Sequence, residues 1–461
     1  MKKPLSVACA LALAGCAVGP DYQRPALDLP SRYPSPEVAA TPAPAPDRWW
    51  TLYGDATLDQ LVAEALARNA DIELAVARVA EAEANLREAG ATMFPEIDVG
   101  AAASRSRVST STALANQPPL VRNDVRVALA TSFEIDFWGR LRRGREAAGA
   151  LAEGSRYGRD VVSLSIGGLV TQAYFTLRSL DAQLALAEST YAARKDSLDV
   201  ARSRANAGLA SDLDVNQASI ALADASLQVK DLNRQRDLTE HLLATLTGRL
   251  ELKVARTNAP LPALPPMPAA GLPSELLERR PDVRQAEQLL ASANAQIGVA
   301  KAAYFPTISL TANDGGQSTA LASTISAPAT IWSVGVNALM PLLDWGRTSA
   351  RVGEATARRD QAIATYRKAT ETAFREVADA LTEVRVYRDV EREVQERAAT
   401  ARNTLALVNT RYRSGYSAYL EVLDAQRTAN DAELAVERNR LALLAASVNL
   451  MKALGGGWRI S

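Results

Sequence analysis

The sequence predicts a mostly α-helical protein with a transmembrane β part, built from two internal repeats. Three observations carry this: landmarks recurring about 200 residues apart, long proline-free stretches with heptad spacing, and four short segments that alternate apolar and polar residues. Asp71, Phe94, Pro95 and Ile97 each have a counterpart 211 positions on, at Asp282, Phe305, Pro306 and Ile308. From Trp138-Gly139-Arg140 through Gly208, Leu213, Asp214 and Val215 to Gly248, the partners lie 207 positions on, at Trp345-Gly346-Arg347, Gly415, Leu420, Glu421, Val422 and Gly455. The four lost residues fall where 103–124 is matched by the shorter 314–330, so the length change sits in a loop and the fold has two similar halves.

Residues 1–15 read as an export signal: Lys2 and Lys3, an apolar run from Leu5 to Ala14, then small residues. The run is too short to span a bilayer. Its end, Leu13-Ala14-Gly15-Cys16, looks like a bacterial lipobox, which implies cleavage before Cys16 and acylation of its sulfur; Ala17, rather than an aspartate, favours an outer-membrane address. Cys9 leaves with the signal, so no cysteine remains for a disulfide despite export to an oxidising compartment. Residues 16–55 form an acylated strap whose prolines, from Pro25 to Pro46, forbid helix and favour extended chain. A second proline tract, within 260–274, links the halves, 56–259 and 275–455, and 456–461 is a short tail.

Each half opens with a helix, about 57–92 in the first. Next come strands at about 96–104 and 125–136, matched by 307–313 and 331–340. Val125, Val127, Leu129, Phe133 and Ile135 alternate with polar or small residues, as do Ile97 and Val99 in the first strand, Ile308 and Leu310 in the third, and Trp332, Val334 and Val336 in the fourth. About nine residues is the length of a membrane strand. No amphipathic helix is left to cover the apolar faces, and the strand–helix junctions carry Phe94, Phe305, Trp138 and Trp345, as an interfacial girdle does. Four strands cannot close a barrel without free edges, so the chain must oligomerise.

The helices that follow are long. Leu177, Leu184, Tyr191 and Leu198 are spaced by seven beside Leu180, Ala187 and Ala201, and Val384, Ala398, Leu405 and Tyr412 repeat the seam beside Val394, Ala401 and Val408. A helix from about 141 to 205 is roughly 100 Å long. Its partner, about 212–247, is half that length, so a second half-length helix, 57–92, can stack on its end. Gly208 and Gly415 read as C-caps at tips of about 206–214 and 413–424, with new helices starting after Ser211 and Ser417.

Composition narrows the function. Lys+Arg and Asp+Glu balance at 52 each, which leaves no basic footprint for nucleic acid. His241 is the single histidine, so histidine metal clusters and catalytic triads are nearly excluded, and no nucleophile–base constellation or phosphate-binding loop is recognised. The chain reads as no enzyme and as needing no cofactor beyond the covalent lipid on Cys16.

Several motifs together resemble the outer-membrane efflux protein family, the TolC-like and OprM-like channels, in its lipoprotein branch. They are Gly15-Cys16-Ala17-Val18-Gly19-Pro20-Asp21-Tyr22 with Arg24-Pro25, Trp49-Trp50 with Gly54-Asp55, the paired Phe-Pro at 94 and 305, the paired Trp-Gly-Arg, and Arg411-Tyr412-Arg413-Ser414-Gly415 leading to Leu420, Leu423 and Asp424-Ala425-Gln426-Arg427. The resemblance implies a homotrimer in which each chain gives four strands to a twelve-stranded barrel and two hairpins to a periplasmic helical tunnel. It also implies an outer-membrane, lipid-anchored location, and as partners a periplasmic adaptor (membrane fusion) protein and an inner-membrane resistance-nodulation-division pump.

The same resemblance places constriction residues at Leu420 and Asp424, and the repeat makes Asp214 equivalent to Glu421. Threefold symmetry turns each acid into a ring that favours cations. The expected periplasmic gate is therefore Leu420 as apolar constriction, with Asp424, Glu421, Tyr412, Asp214 and Asp212 around it, and adaptor contact at the Gly208 and Gly415 tips. Other readings stay open. Ser211-Asp212-Leu213-Asp214 is also a capping box, and Tyr412 continues the coiled-coil row. Arg140 and Arg347 pair either with Asp136 and Asp344 or with lipid head groups. The duct itself serves small-molecule efflux or, alternatively, protein secretion, and a pore-less lipid-anchored spacer is the remaining reading. Which substrates pass is not written in the chain.

Overall fold

The computed structural model describes residues 17–34, 46–107, 121–267, 270 and 273–457. Cys16 and residues 35–45 of the strap lie outside them. The chain divides into two compact units: one of Met1–Ala26, Arg78–Arg156 and Gln285–Tyr366, the other of Leu27–Ala77, Tyr157–Arg284 and Arg367–Ser461. Apart from the single α-turn Leu276–Arg279 and short 3-10 turns, the helices are α1 (Ala56–Arg68), α2 (Ala70–Ala91), α3 (Arg140–Asn206), α4 (Asp212–Leu246), α5 (Pro281–Ala302), α6 (Arg347–Arg413) and α7 (Tyr419–Ala453); the strands are β1 (Glu96–Arg107), β2 (Val121–Ile135), β3 (Thr307–Ser318) and β4 (Thr330–Leu339). The duplication is kept to the residue: α3 and α6 each have 67 residues, α4 and α7 each 35.

The first unit holds one antiparallel sheet in the order β1-β2-β3-β4, leaving β1 and β4 as its edges. Register also repeats, since Glu96 faces Ser132 in the first hairpin and its equivalent Thr307 faces Leu339 in the second. Directly paired residues share a face, so the pairing sorts every side chain. One face carries Ile97, Val99, Ala101, Val125, Val127, Leu129, Phe133, Ile135, Ile308, Leu310, Trp332, Val334 and Val336. The other carries Asp98, Ser104, Asp124, Arg126, Ser132, Glu134, Ser309, Asn313, Gln317, Ser333 and Asn337. The polar face binds itself: Arg126 donates to Asn313 (3.0 Å), Gln317 to Asp124 (2.8 Å), and Asn313 to Ser333. The apolar face has no cover, with Ile97, Val99, Trp332 and Val334 71 to 74% exposed. An uncovered apolar face of this extent needs lipid or a partner.

The second unit is helical and packs small on large. Ala398, Ala401, Ala429 and Ala432 form one core cluster, which lets α6 and α7 approach closely, while Leu180, Leu184, Ala187 and Leu232 join α3 to α4. Tyr191 departs from the expected seam and is 38% exposed. The helix expected over 57–92 is broken in two at Asn69. Its Oδ1 accepts from Asp71 N and Ile72 N, starting α2, while its Nδ2 donates to Leu246 O at the end of α4. A side chain that satisfies three orphan groups at a helix junction holds the break open. The second half makes the same joint with another residue: Arg280, equivalent to Asn69, donates to Ala453 O at the end of α7 and pairs with Asp282 and Glu376.

The motif Trp49-Trp50…Gly54-Asp55 anchors α1. Trp49, Trp50 and Tyr53 are buried, Asp55 caps α1 by accepting from Thr57 N and Leu58 N, and its second oxygen takes Tyr174 Oη (2.7 Å) and Arg178 Nη1 (3.2 Å).

Candidate functional site at the hairpin tips

In the second unit the two hairpin tips pack on one another. Both long helices end in the same way. Gly208 (φ 72°) and Gly415 (φ 83°) adopt the left-handed conformation, Leu209 N donates to Arg204 O, and Tyr416 N donates to Arg411 O. This is the Schellman ending, for which glycine is the natural residue. No atom lies near enough to obstruct a Cβ at either position, so the backbone alone demands glycine.

The return helices start differently. Ser211 and Asp214 form a reciprocal capping box, Asp214 N donating to Ser211 Oγ (3.3 Å) and Ser211 N to Asp214 Oδ2 (3.2 Å). In the second half Ala418 occupies the equivalent position, so α7 starts at Tyr419 without a side-chain cap, one residue later than expected from Ser417. Ser417 Oγ instead donates to Glu421 Oε2 (2.5 Å). Asp424 accepts from Arg427 at 2.8 Å, both side chains being well exposed. Leu420 is 63% exposed, as is its repeat equivalent Leu213, and Asp212 is exposed in the first turn of α4. Leu420 thus presents apolar surface at the tip that also carries Glu421 and Asp424.

Tyr412 and Tyr419 lie in a cluster with Leu198, Ala201, Ala218 and Val422, their rings 5.6 Å apart. Burial raises both phenols, with Arg204 opposing the rise at Tyr412 and Arg194 at Tyr419. Sequence reasoning missed Arg204. Its guanidinium sits 4.8 Å over the Tyr412 ring while Nη1 donates to Tyr412 O at 2.9 Å, so one α3 side chain clasps the end of α6. The signal was present in the repeat, where Arg204 is the equivalent of Arg411.

At the strand–helix junctions of the first unit, Trp138 stacks on Phe305 at 4.5 Å and its Nε1 donates to Pro306 O at 2.8 Å. Trp345 and Phe94, their repeat equivalents, are 89% and 72% exposed. Arg140 pairs with Glu134 (2.6 Å), whereas Asp136 and Asp344 accept backbone N–H groups at the starts of α3 and α6. Hydrogen bonds from Thr348 hold the Asp344 carboxyl below its ordinary range. The strap motif is pinned here as well: Val18 N donates to Trp138 O, Arg143 bonds Asp21, Asn294 donates to Pro20 O, and Glu287 accepts from both Tyr22 and Arg24. Gly19 lies so close to Gly298 that a Cβ on it would fall 2.5 Å from the Gly298 Cα. Among the described residues no group of acids, histidines or cysteines is arranged to hold a metal ion, and no helix is long and apolar enough to cross a membrane.

Comparison with known proteins agrees with this geometry. The profile described as outer membrane efflux protein matches residues 61–249 and 272–456. The chain is 33% identical, over all of its length and 99% of the relative's, to the solvent efflux pump outer membrane protein SrpC of Pseudomonas putida. It is 32% identical to the pyoverdine export outer membrane protein OpmQ of Pseudomonas aeruginosa, covering 100% of this chain and 98% of that one. Among solved structures, the outer-membrane channel OprN superposes with a TM-score of 0.90 at 30% identity, covering 96% of this chain and 100% of that one. The open state of the MtrE channel of Neisseria gonorrhoeae gives 0.82 at 28%, covering 96% and 99%. Duplicated hairpins, a two-faced four-stranded sheet and these likenesses define the fold of the trimeric outer-membrane channels that work with efflux pumps, and the chain belongs to the outer membrane efflux protein family.

Proposed function

We propose that this chain is the exit duct of a tripartite efflux system, a homotrimer that passively conducts small molecules such as drugs or other toxic compounds to the exterior. An inner-membrane pump of the resistance-nodulation-division type and a periplasmic adaptor would deliver them. The observation that carries this reading is the sheet: one bare apolar face, one hydrogen-bonded polar face and two open edges, as a subunit of a larger water-filled barrel requires. The names of the relatives, one for solvent efflux and one for pyoverdine export, support small-molecule efflux. Acylation at Cys16 would anchor the strap, and Trp138, Trp345, Phe94 and Phe305 would form the interfacial girdle.

In this reading the periplasmic gate lies at the tips. Leu420 forms the apolar constriction, Asp424 and Glu421 tune ion passage, Tyr412 anchors the gate by packing, and Asp212 and Asp214 add charge while Asp214 caps α4. Gly208 and Gly415 shape the loops that meet the adaptor. The test is single-channel conductance of the purified protein in a planar bilayer. Wild type should give a small, cation-preferring conductance that rises in Leu420→Ala or Asp424→Ala; no conductance from folded, inserted protein of any of the three would sink the duct.

A further inference from the structure

The apolar face of the sheet ends in two arginines. Pairing places Arg105 opposite Asn123 and Arg107 opposite Val121, on the same side as Ile97, Val99 and Ala101. These arginines lie at the loop end of β1, away from the helix junction at Glu96. Eight residues separate Ile97 from Arg105, which at about 3.3 Å per residue and a tilt of about 40° is roughly 20 Å along the membrane normal. An apolar band is about 25 Å tall, so Arg105 and Arg107 fall at its far boundary, the one depth at which a lipid-facing arginine costs little.

Both side chains are exposed, and among the described residues neither has a hydrogen-bond or ion-pair partner. Arg126, on the polar face, does have one, Asn313. Nothing charged is available to pair with them from the loops: residues 108–120 carry no charge, and none occurs from Gly315 to Leu343. Asp124 points to the polar face and is held by Gln317. Within one chain Asp314 shares the apolar face but pairs with Leu129, six residues along β2 from Asn123, about 20 Å from Arg105. The second half has no counterpart, since Gly316 and Ser318 stand at the equivalent positions.

We propose that Arg105 and Arg107 bind the phosphate groups of the phosphorylated glycolipid of the outer leaflet, forming a lipid site on the outside of the barrel. The proposal rests on the outer-membrane barrel reading, which sets the loop ends of the strands outward. A guanidinium offers several N–H donors in a rigid fork that matches phosphate oxygens, and two of them on alternate positions of one strand face the same lipid. The fatty chains of that lipid then lie against Val99, Ala101, Val125 and Val127 below.

The test is native mass spectrometry of the purified full chain titrated with bisphosphorylated lipid A, with its dephosphorylated form, and with phosphatidylglycerol. Two cations that each contribute about fivefold near an anionic surface predict about 25-fold weaker binding of bisphosphorylated lipid A to Arg105→Gln/Arg107→Gln. A similar loss is expected for the dephosphorylated lipid on wild type. Arg105→Lys/Arg107→Lys should retain most of the binding, and Arg126→Gln, on the polar face, all of it. Undiminished binding by the double glutamine variant overturns the site, as does equal, equally arginine-dependent binding of phosphatidylglycerol. Failure of the barrel reading has a different signature, in which neither wild type nor variant floats with phospholipid vesicles.

Discussion

Arg204 joins the two hairpins through a single guanidinium, over the Tyr412 ring and onto the Tyr412 carbonyl. A cation over a partly desolvated ring contributes about 1 to 2 kcal/mol. A hydrogen bond from a charged donor contributes about 1.5 to 3 kcal/mol. Arg204→Ala should therefore weaken the tip by about 2 to 4 kcal/mol after partial compensation by water, and Tyr412→Leu should show non-additive loss with it in a double-mutant cycle of thermal unfolding. If the clasp also holds the duct shut, Arg204→Ala raises conductance while Arg411→Ala, at the equivalent position of the other half, does so less. Additive losses with unchanged conductance would reduce Arg204 to an ordinary surface residue.

At the scale of the elements, the two tips are alike in their helix ends and unlike in their helix starts. Ser211 caps α4; Ala418 leaves the first turn of α7 without a side-chain cap. An N-cap serine in place of alanine contributes about 1 kcal/mol. Ala418→Ser should slow amide exchange over the first turn of α7 by roughly fivefold, and Ser211→Ala should speed it in α4 by a similar factor. Equal exchange in both variants and wild type would show that packing, and not capping, sets the stability of these turns. The looser start in the second half is a physical reason to expect movement there first. Much of this was legible beforehand: the fold class, the four strands and the two repeats follow from heptad spacing, alternation and duplication. The break at Asn69 was not, because asparagine within a helix is only a mild breaker and its acceptor, Leu246 O, lies 177 residues away. The grip of Glu287 on Tyr22 and Arg24 was hidden for the same reason. These partners are about 265 residues apart, and nothing local marks them as a pair.

At the scale of the whole molecule, the repeat predicts how copies of the chain must join. Within one chain, Ile135 faces Ile308 and Thr131 faces Ala312 where the first half meets the second. Shifting each residue to its equivalent in the other half sets Leu342 against Ile97, and Ala338 against Ala101, of the next copy. That register closes both open edges at once. It also completes a half-made contact: Trp138 stacks on Phe305 within the chain, while Trp345 and Phe94 stand exposed as the two members of the same stack. Trp332 is brought beside Arg107 of the neighbour, where an aromatic face and a guanidinium attract, and Asp314, the β3 partner of Trp332, stands one strand farther on the same face, about 10 Å from that arginine. Ala101→Cys/Ala338→Cys should therefore form an intermolecular disulfide under mild oxidation and run as covalent oligomers, whereas Ala103→Cys/Ala338→Cys, one paired position off, should cross-link far less. Trp345→Ala and Phe94→Ala should each lower the temperature at which the assembly dissociates by comparable amounts, with little further loss in the double variant, because an aromatic pair contributes about 0.5 to 1.5 kcal/mol beyond its buried area and either truncation removes it. Preferential cross-linking in the shifted register, or additive losses from the two aromatics, would mean that the copies join by a geometry different from the one the chain uses between its own halves.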